Sequence, residues 1–363
     1  MRKTLYFFLA FIIFLTANDS FAQMNRKNIK KNNKRISSYR GKKSGFSANN
    51  RYNAIGISLN ALNYFGDLSP KSGLLSTDIS FTRPAIGISF SHRFGPRYTL
   101  IGAFMYGTIK GSDSKSADAS DAESGVFRSV RNLSFRNRIK ELSVVASFDL
   151  FENMSTYISR VKWTPYVYLG VAGFLHNPQA QIPDFAVDGV TPLPGAGDWV
   201  NLRDYGTEGQ KSALQPGNAN YGIKEYKLLQ LAIPGGIGVR FRINEVIDVA
   251  AEFGFRYTFT DYLDDVSKNY VDLGAFNGDK VAEALSYRSN EVAAASATYT
   301  YSGRNGQSYT VVPGYGHENP PNGNPAQDFF NVRGESKDKD IYMVTTFKAT
   351  YILGKTFHRA KFR

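Results

Sequence analysis

The chain contains no cysteine. Disulfide frameworks, thiol nucleophiles and thiolate metal sites are therefore excluded, as is anchoring through a lipidated cysteine. Beyond Ala22 no stretch approaches the roughly 18 consecutive apolar residues that read as a membrane helix. Histidine is scarce: His92, His176, His317 and His358 are the only four. None lies two residues from a serine, and the adjacent pair Ser91 and His92 would point to opposite faces of a strand. The paired nucleophile and base that an outer-membrane hydrolase needs are missing, which argues against an enzyme. No cofactor motif is present, and between positions 23 and 51 there is no acidic residue at all.

The N-terminus carries Arg2 and Lys3, an apolar run from Tyr6 to Leu15, and a small-x-small end at Ser20-Phe21-Ala22. That pattern reads as a secretory signal peptide over residues 1–22. The formal charge of +13 is unevenly placed. Arg26, Lys27, Lys30, Lys31, Lys34, Arg35, Arg40, Lys42, Lys43 and Arg51 put +10 of it in residues 23–51. A like-charged block of this kind cannot pack a core, so a disordered periplasmic tail is expected there. Its natural partners are an acidic periplasmic protein or anionic lipid, the bland alternative being a solvated linker. Residues 355–363 form a second, shorter basic tail. With only +2 left over residues 52–363, no surface-wide field for nucleic acid remains.

Aromatic residues make up 14% of the chain, with 22 Tyr and 27 Phe. In a secreted chain without a membrane helix, this points to strands, and in lipid to a closed barrel. Alternation of period two supports it. Over 247–259, Ile247, Val249, Ala251, Phe253, Phe255, Tyr257 and Phe259 share one face, and Asp248, Glu252 and Arg256 the other. Similar alternation marks strands at about 53–65, 84–94, 138–151 and 227–243. Looser patterns add 163–175 and 340–353, and 97–109 is ambiguous in facing. Short and long connections alternate strictly, the short ones lying after strands two, four and six. The expectation is all-β: an eight-stranded antiparallel up-and-down transmembrane β-barrel over residues 52–354, with long extracellular loops and short periplasmic turns. Phe94, Phe151, Trp163, Phe241 and Tyr351 would gird the periplasmic end, and Phe65, Phe259 and Tyr342 the outer end.

The faces opposite lipid carry Arg93, Arg240, Arg242, Arg256 and Lys348 against Glu141, Asp149, Asp248 and Glu252. An eight-stranded barrel has just enough interior for side chains, so these nine are expected to form a packed ion-pair network. A proton or ion path is the alternative. After strand seven, assigned to 247–262, the acid-rich run places Asp261, Tyr262, Asp264 and Asp265 together. It lacks the spacing of an EF-hand and reads either as a hydrogen-bonded loop start or as a calcium site. Ser112–Ser124 reads as mobile, Pro320–Pro325 as turn-rich, and Val281–Leu285 as a short helix.

Five stretches carry a family resemblance. They are Asn63-Tyr64-Phe65-Gly66-Asp67-Leu68, Arg131-Asn132-Leu133-Ser134-Phe135-Arg136-Asn137, Ile233-Pro234-Gly235-Gly236-Ile237-Gly238, the run from Phe255 to Ser267, and Lys337-Asp338-Lys339-Asp340-Ile341-Tyr342. Over roughly residues 50–355 the chain resembles the outer-membrane barrel family known as domain of unknown function 6089. That family includes the barrel component of the type IX secretion system. The resemblance implies an outer-membrane anchor or scaffold associated with a periplasmic secretion-complex protein. A surface-binding barrel using its outer loops is the runner-up, and an enzyme is third.

Overall fold

The computed structural model describes residues 46, 50–68, 81–117, 120–121, 125–292, 297–318 and 331–353. The signal-peptide segment 1–22, nearly all of the basic tail 23–51, the turn-rich 320–325 and the C-terminal tail 355–363 lie outside the described residues. Of the ten tail cations only Arg51 is described, and it is exposed.

Eight long strands close into a barrel. In chain order they are β1 (Tyr52–Phe65), β2 (Arg83–Arg93), β3 (Tyr98–Ser112), β4 (Ser134–Asp149) and β5 (Trp163–Leu175). Two short strands follow, β6 (Pro178–Gln181) and β7 (Trp199–Asn201). Then come β8 (Leu229–Arg242), β9 (Ile247–Thr258), a hairpin of β10 (Tyr299–Ser302) and β11 (Ser308–Val311), and finally β12 (Ile341–Leu353). Every barrel pairing is antiparallel between neighbours, and β12 closes onto β1 from Asn53↔Leu353 to Phe65↔Ile341. Closure leaves no unpaired edge among these eight strands, the condition for backbone in lipid.

The barrel matches the eight expected strands, with differences at their outer ends. β3 runs on to Ser112 and β4 begins at Ser134, so this pair stands taller than its neighbours. β9 stops at Thr258 rather than 262. There the Thr258 hydroxyl donates to the Asp340 carbonyl at 2.7 Å, and the following residues turn inward over the barrel mouth. The short connections 94–97, 150–162 and 243–246 sit at one end, and the four long ones at the other.

Facing follows the alternation. Ile57, Leu59, Ile86, Ile88, Leu142, Leu169, Val171, Ile237 and Phe347 are all exposed on the outside of the barrel. A soluble barrel would turn this apolar face inward; a continuous exterior apolar belt marks a membrane barrel. The ambiguous strand resolves as well. Tyr98, Leu100, Phe104 and Tyr106 of β3 face out, while Ile101, Met105 and Ile109 are buried inside. Tyr342 departs from the expected outer girdle: it is wholly buried, pointing into the lumen, where its hydroxyl donates to Glu141 at 2.6 Å. Leu59, 68% exposed and paired with Phe347, lies in the middle of the belt. Leu59→Arg is expected to cost about 2–4 kcal/mol of stability in lipid. Urea unfolding in vesicles measures this, and an unchanged midpoint would reverse the facing assigned here.

The described parts of the long connections are folded. β6 extends β4 through Arg136↔Gln179 and Asn137↔Pro178, and β7 pairs with β6. The expected helix forms as Lys280–Ser286, with the Asp279 carboxylate accepting from Val281 N and Ala282 N, both at 3.1 Å. Asp113–Ser116, expected to be mobile, is a helical turn with Asp113 fully buried. An apolar core fills the outer half of the barrel and continues into these loops. Leu62, Ile109, Ile139, Phe174 and Val344 from the strands pack with Leu263, Val266 and Leu285 from the connections. A second core, including Tyr270, Val271, Leu273, Tyr287 and Val311, lies wholly within the cap.

Candidate functional site

Two clusters of polar side chains occupy the barrel axis. The one nearer the turn end gathers all nine residues expected in the lumen. Arg93 pairs with Asp149 at 2.6 Å, and Arg240 approaches the same oxygen at 3.5 Å. Arg256 pairs with Glu141 at 3.1 Å, and Lys348 with Glu252. Asp248 takes its partner from outside the expected set: Arg160, in the connection 150–162, contacts it at 2.5 Å. Arg242 makes no acidic contact among the described residues and instead donates to the Arg160 carbonyl at 2.7 Å. Arg160 was invisible to strand alternation because it sits in a turn. Its position, three residues before the Trp163 that opens β5, was the only available signal.

Tyrosines complete the filling. Tyr166 donates to Glu252 at 2.5 Å. The rings of Tyr166 and Tyr168 lie across the lumen against Gly236, Gly238 and Gly254. A Cβ on Gly254 would meet the Tyr168 hydroxyl at 2.1 Å, and one on Gly238 the Tyr166 ring at 2.6 Å. Gly236 and Gly238 of the 233–238 stretch thus make room for aromatic rings. The voids left around the network measure about 10 and 60 Å³. Such spaces hold a water or a few, not a hydrated path.

The second cluster lies where barrel and cap meet. The other four stretches that carry the resemblance converge there. From 63–68, the Tyr64 hydroxyl lies 2.7 Å from Asp264 and 2.8 Å from Asp340. One phenol hydrogen can serve only one of these oxygens. The other contact is favourable only if a carboxyl carries a proton and donates to the phenol oxygen. Burial holds both carboxyls well above the usual range, helped by the charges of Asp340 and Asp67 on Asp264 and of Asp261 and Asp67 on Asp340. Gly66 is required by this approach, since a Cβ there would lie 1.9 Å from the Tyr64 hydroxyl.

Asp264 also accepts from Val266 N at 2.9 Å, and Asp340 from Leu263 N at 2.8 Å. From 131–137, Asn137 donates to the Leu263 carbonyl at 2.7 Å. Arg131, fully buried, grips Asp113 with two donors at 2.8 and 2.9 Å and donates to the carbonyls of Arg333 and Asp67. Asp265, in the left-handed region at φ 68°, accepts from Tyr226 at 2.8 Å and from Thr207. Arg333 donates to the Asp265 carbonyl at 2.6 Å and to Glu208 at 3.1 Å. Tyr262 stacks on Tyr226 with ring centres 4.8 Å apart.

Burial pushes Asp67 up to about 6 and Asp261 and Asp265 up to about 7. Asp261 Oδ2 has no hydrogen-bond partner among the described residues. His176 beside the cluster is pushed down to about 4 by burial, so it is neutral. Among the described residues, no group of three or more His, Asp or Glu is arranged to hold a metal. The acid-rich run is held by hydrogen bonds through Asp264 and Asp265. Its partners Tyr64, Thr207, Glu208, Arg333 and Asp340 lie too far away in sequence for local reasoning to find.

A family model described as "Domain of unknown function (DUF6089)" matches residues 43–184, which hold β1 to β6. That is shorter than the expected 50–355 and includes two of the five stretches above. No curated protein matches the chain. Among solved structures, the N-terminal β-barrel domain of Pseudomonas aeruginosa OprF is 9% identical, with 84% of this chain and 99% of that one covered at a TM-score of 0.30. The outer membrane protein OprG from Pseudomonas aeruginosa is 9% identical, covering 84% and 97% at 0.32. Neisserial surface protein A is 8% identical, covering 82% and 96% at 0.31.

Proposed function

We propose that this chain is a non-conducting, non-enzymatic outer-membrane anchor that works through its two ends rather than through its lumen. One observation carries the reading: the apolar core of the outer barrel continues into a folded cap, through Leu263, Val266 and Leu285. With ion pairs below and this core above, side chains fill the axis. Purified protein in planar bilayers is expected to give no steady conductance. Large, stable, ion-selective steps would overturn the plugged reading and restore an ion path.

At the turn end the proposed partner is an acidic periplasmic protein, in keeping with the secretion-complex association that the family resemblance implies. The ten cations of residues 23–51 would supply long-range attraction. Deleting residues 24–51 touches no barrel strand, so the barrel should still insert. Recovery of crosslinked partners from intact cells should fall, and the loss should be larger at low salt than at high salt, where screening already weakens the tail's attraction. Recovery unchanged by the deletion, at both low and high salt, would reduce the tail to a linker. The folded cap favours a second reading, a surface-binding barrel. Its outer face holds a cleft of about 540 Å³ between 186–189 and the 307–310 stretch.

A further inference from the structure

Along β4 the outward face changes character toward the cap. Ala146, Val144 and Leu142 are followed, at the next three outward positions, by Lys140, Arg138 and Arg136. On β3 the outward Phe104 and Tyr106 give way to Lys110, which pairs directly with Arg136, while Lys140 lies opposite Tyr106. The four cations share one patch of outer wall where the apolar belt ends, and those of β4 span about 14 Å along the strand. Arg138 and Lys140 are exposed, and Lys110 and Arg136 half-buried. None of the four has an acidic partner among the described residues. The charges acting on Lys110 are those of Lys115 and Arg83, and the charge acting on Arg136 is that of Arg138. Like charges directly opposite on paired strands are destabilising. Arg136 is nevertheless held in place: its guanidinium lies 3.7 Å over the Trp199 ring, and its Nε donates to Gln179 at 3.0 Å. Its two terminal nitrogens have no acceptor among the described residues.

Four unneutralised cations at the upper edge of a lipid-facing wall call for a ligand with several negative charges at the interface and apolar chains below them. We propose that this patch binds a phosphorylated glycolipid of the outer leaflet. Its phosphates lie against Lys110, Arg136, Arg138 and Lys140. Its acyl chains run down over Phe104, Leu142 and Leu175, all exposed on the same strands, Leu175 being the β5 partner of Lys140. A guanidinium already oriented by stacking presents its remaining N–H groups to phosphate oxygens at little further cost in side-chain order. Charge favours this occupant over a second copy of the barrel, because docking two copies by this face would set two cationic patches against each other. The proposal rests on the membrane placement above, with the cap on the outside.

The test is native mass spectrometry of the full chain extracted from phosphatidylcholine vesicles that carry equal amounts of bis-phosphorylated lipid A and its dephosphorylated form. Insertion is checked first by heat-shifted gel mobility. The wild-type barrel should retain the phosphorylated form over the other by about tenfold or more. Arg138→Gln/Lys140→Gln should lower that preference by about tenfold. Lys224→Gln/Lys268→Gln removes the same charge from exposed positions in the cap connections and should leave the preference unchanged. All four positions are exposed, and the mobility check shows that each variant has folded. Excess soluble pyrophosphate should not displace the lipid, because it has no acyl chains to lie on the belt. Equal retention of the two forms by wild type, a preference unchanged in Arg138→Gln/Lys140→Gln, an equal loss in both double variants, or displacement by pyrophosphate would each overturn the glycolipid site while leaving the membrane barrel standing. Failure of the wild type to insert would overturn the membrane placement itself, and the lipid site with it.

Discussion

Arg131→Met is expected to open the cap without unfolding the barrel. Arg131 is the wholly buried hub between three connections: it holds Asp113 bidentately and ties down the carbonyls of Asp67 and Arg333. Asp113 is itself fully buried, and in the variant keeps only Arg128 at 3.1 Å and the Leu133 amide. Removing one partner from a buried pair costs about 3–5 kcal/mol, because the charge left behind is not rehydrated. The loss should appear as faster hydrogen exchange and proteolysis in 113–133 and 333–340. The strand amides, hydrogen-bonded around a closed barrel, should stay protected. Asp113→Asn removes the stranded charge, so the double variant Asp113→Asn/Arg131→Met should be more stable than Arg131→Met alone. Protection of the cap in Arg131→Met within about 0.5 kcal/mol of wild type would show that Arg131 does not hold it.

The barrel was legible because lipid and lumen impose opposite chemistry on alternate residues. Where that contrast fails, so does the reading. β3 is ambiguous because Ile101, Met105 and Ile109 are apolar yet face inward, Met105 and Ile109 toward the core that fills the outer barrel and Ile101 toward Tyr166 and Tyr168. As an aromatic near a strand end Tyr342 reads as a girdle residue, but its hydroxyl donates inward to Glu141. The cap has no period to read. Tyr270, Tyr287 and Tyr315 from irregular segments join Tyr309 of the short β11 in a core whose contacts depend on tertiary closure. The acid-rich run stood out locally, whereas its meaning lies in contacts such as Tyr64 to Asp340, 276 residues apart. Alternation also placed the nine lumen charges on inward faces, yet it could not supply the pairings, since Arg160 enters from a turn.

The acid cluster should make the cap tighter in mild acid than at neutral pH. In the folded chain, burial raises Asp67 to about 6 and Asp261 and Asp265 to about 7, and holds Asp264 and Asp340 well above the usual range. In the unfolded cap each would titrate near 3.9, so over roughly pH 4–7 the folded state binds more protons than the unfolded one. Stability then falls as pH rises: it is greatest below about pH 4 and lost progressively through the folded values. Opposing groups are few. Arg131 and the Glu335 amide lower Asp67, Ser267 and Lys339 lower Asp261, Arg333, Thr207 and Tyr226 lower Asp265, and the Tyr64 phenol and backbone amides lower Asp264 and Asp340, while Glu208 and the neighbouring carboxylates push the other way. His176, held down to about 4 when folded, binds fewer protons than in the unfolded cap and works in the opposite sense over this window, one group against five. Hydrogen exchange over 260–267 and 335–340 should therefore be slower at pH 5 than at pH 8 after correction for intrinsic rates. Asp264→Asn imitates the protonated form. Its oxygen can still accept from Val266 N, and its amide can donate to the Tyr64 oxygen, leaving the phenol hydrogen for Asp340. That variant should be better protected than wild type at pH 8 and show a weaker pH dependence. Equal protection of the wild-type cap at pH 5 and pH 8 would mean that these carboxyls do not share protons as the contacts around Tyr64 require.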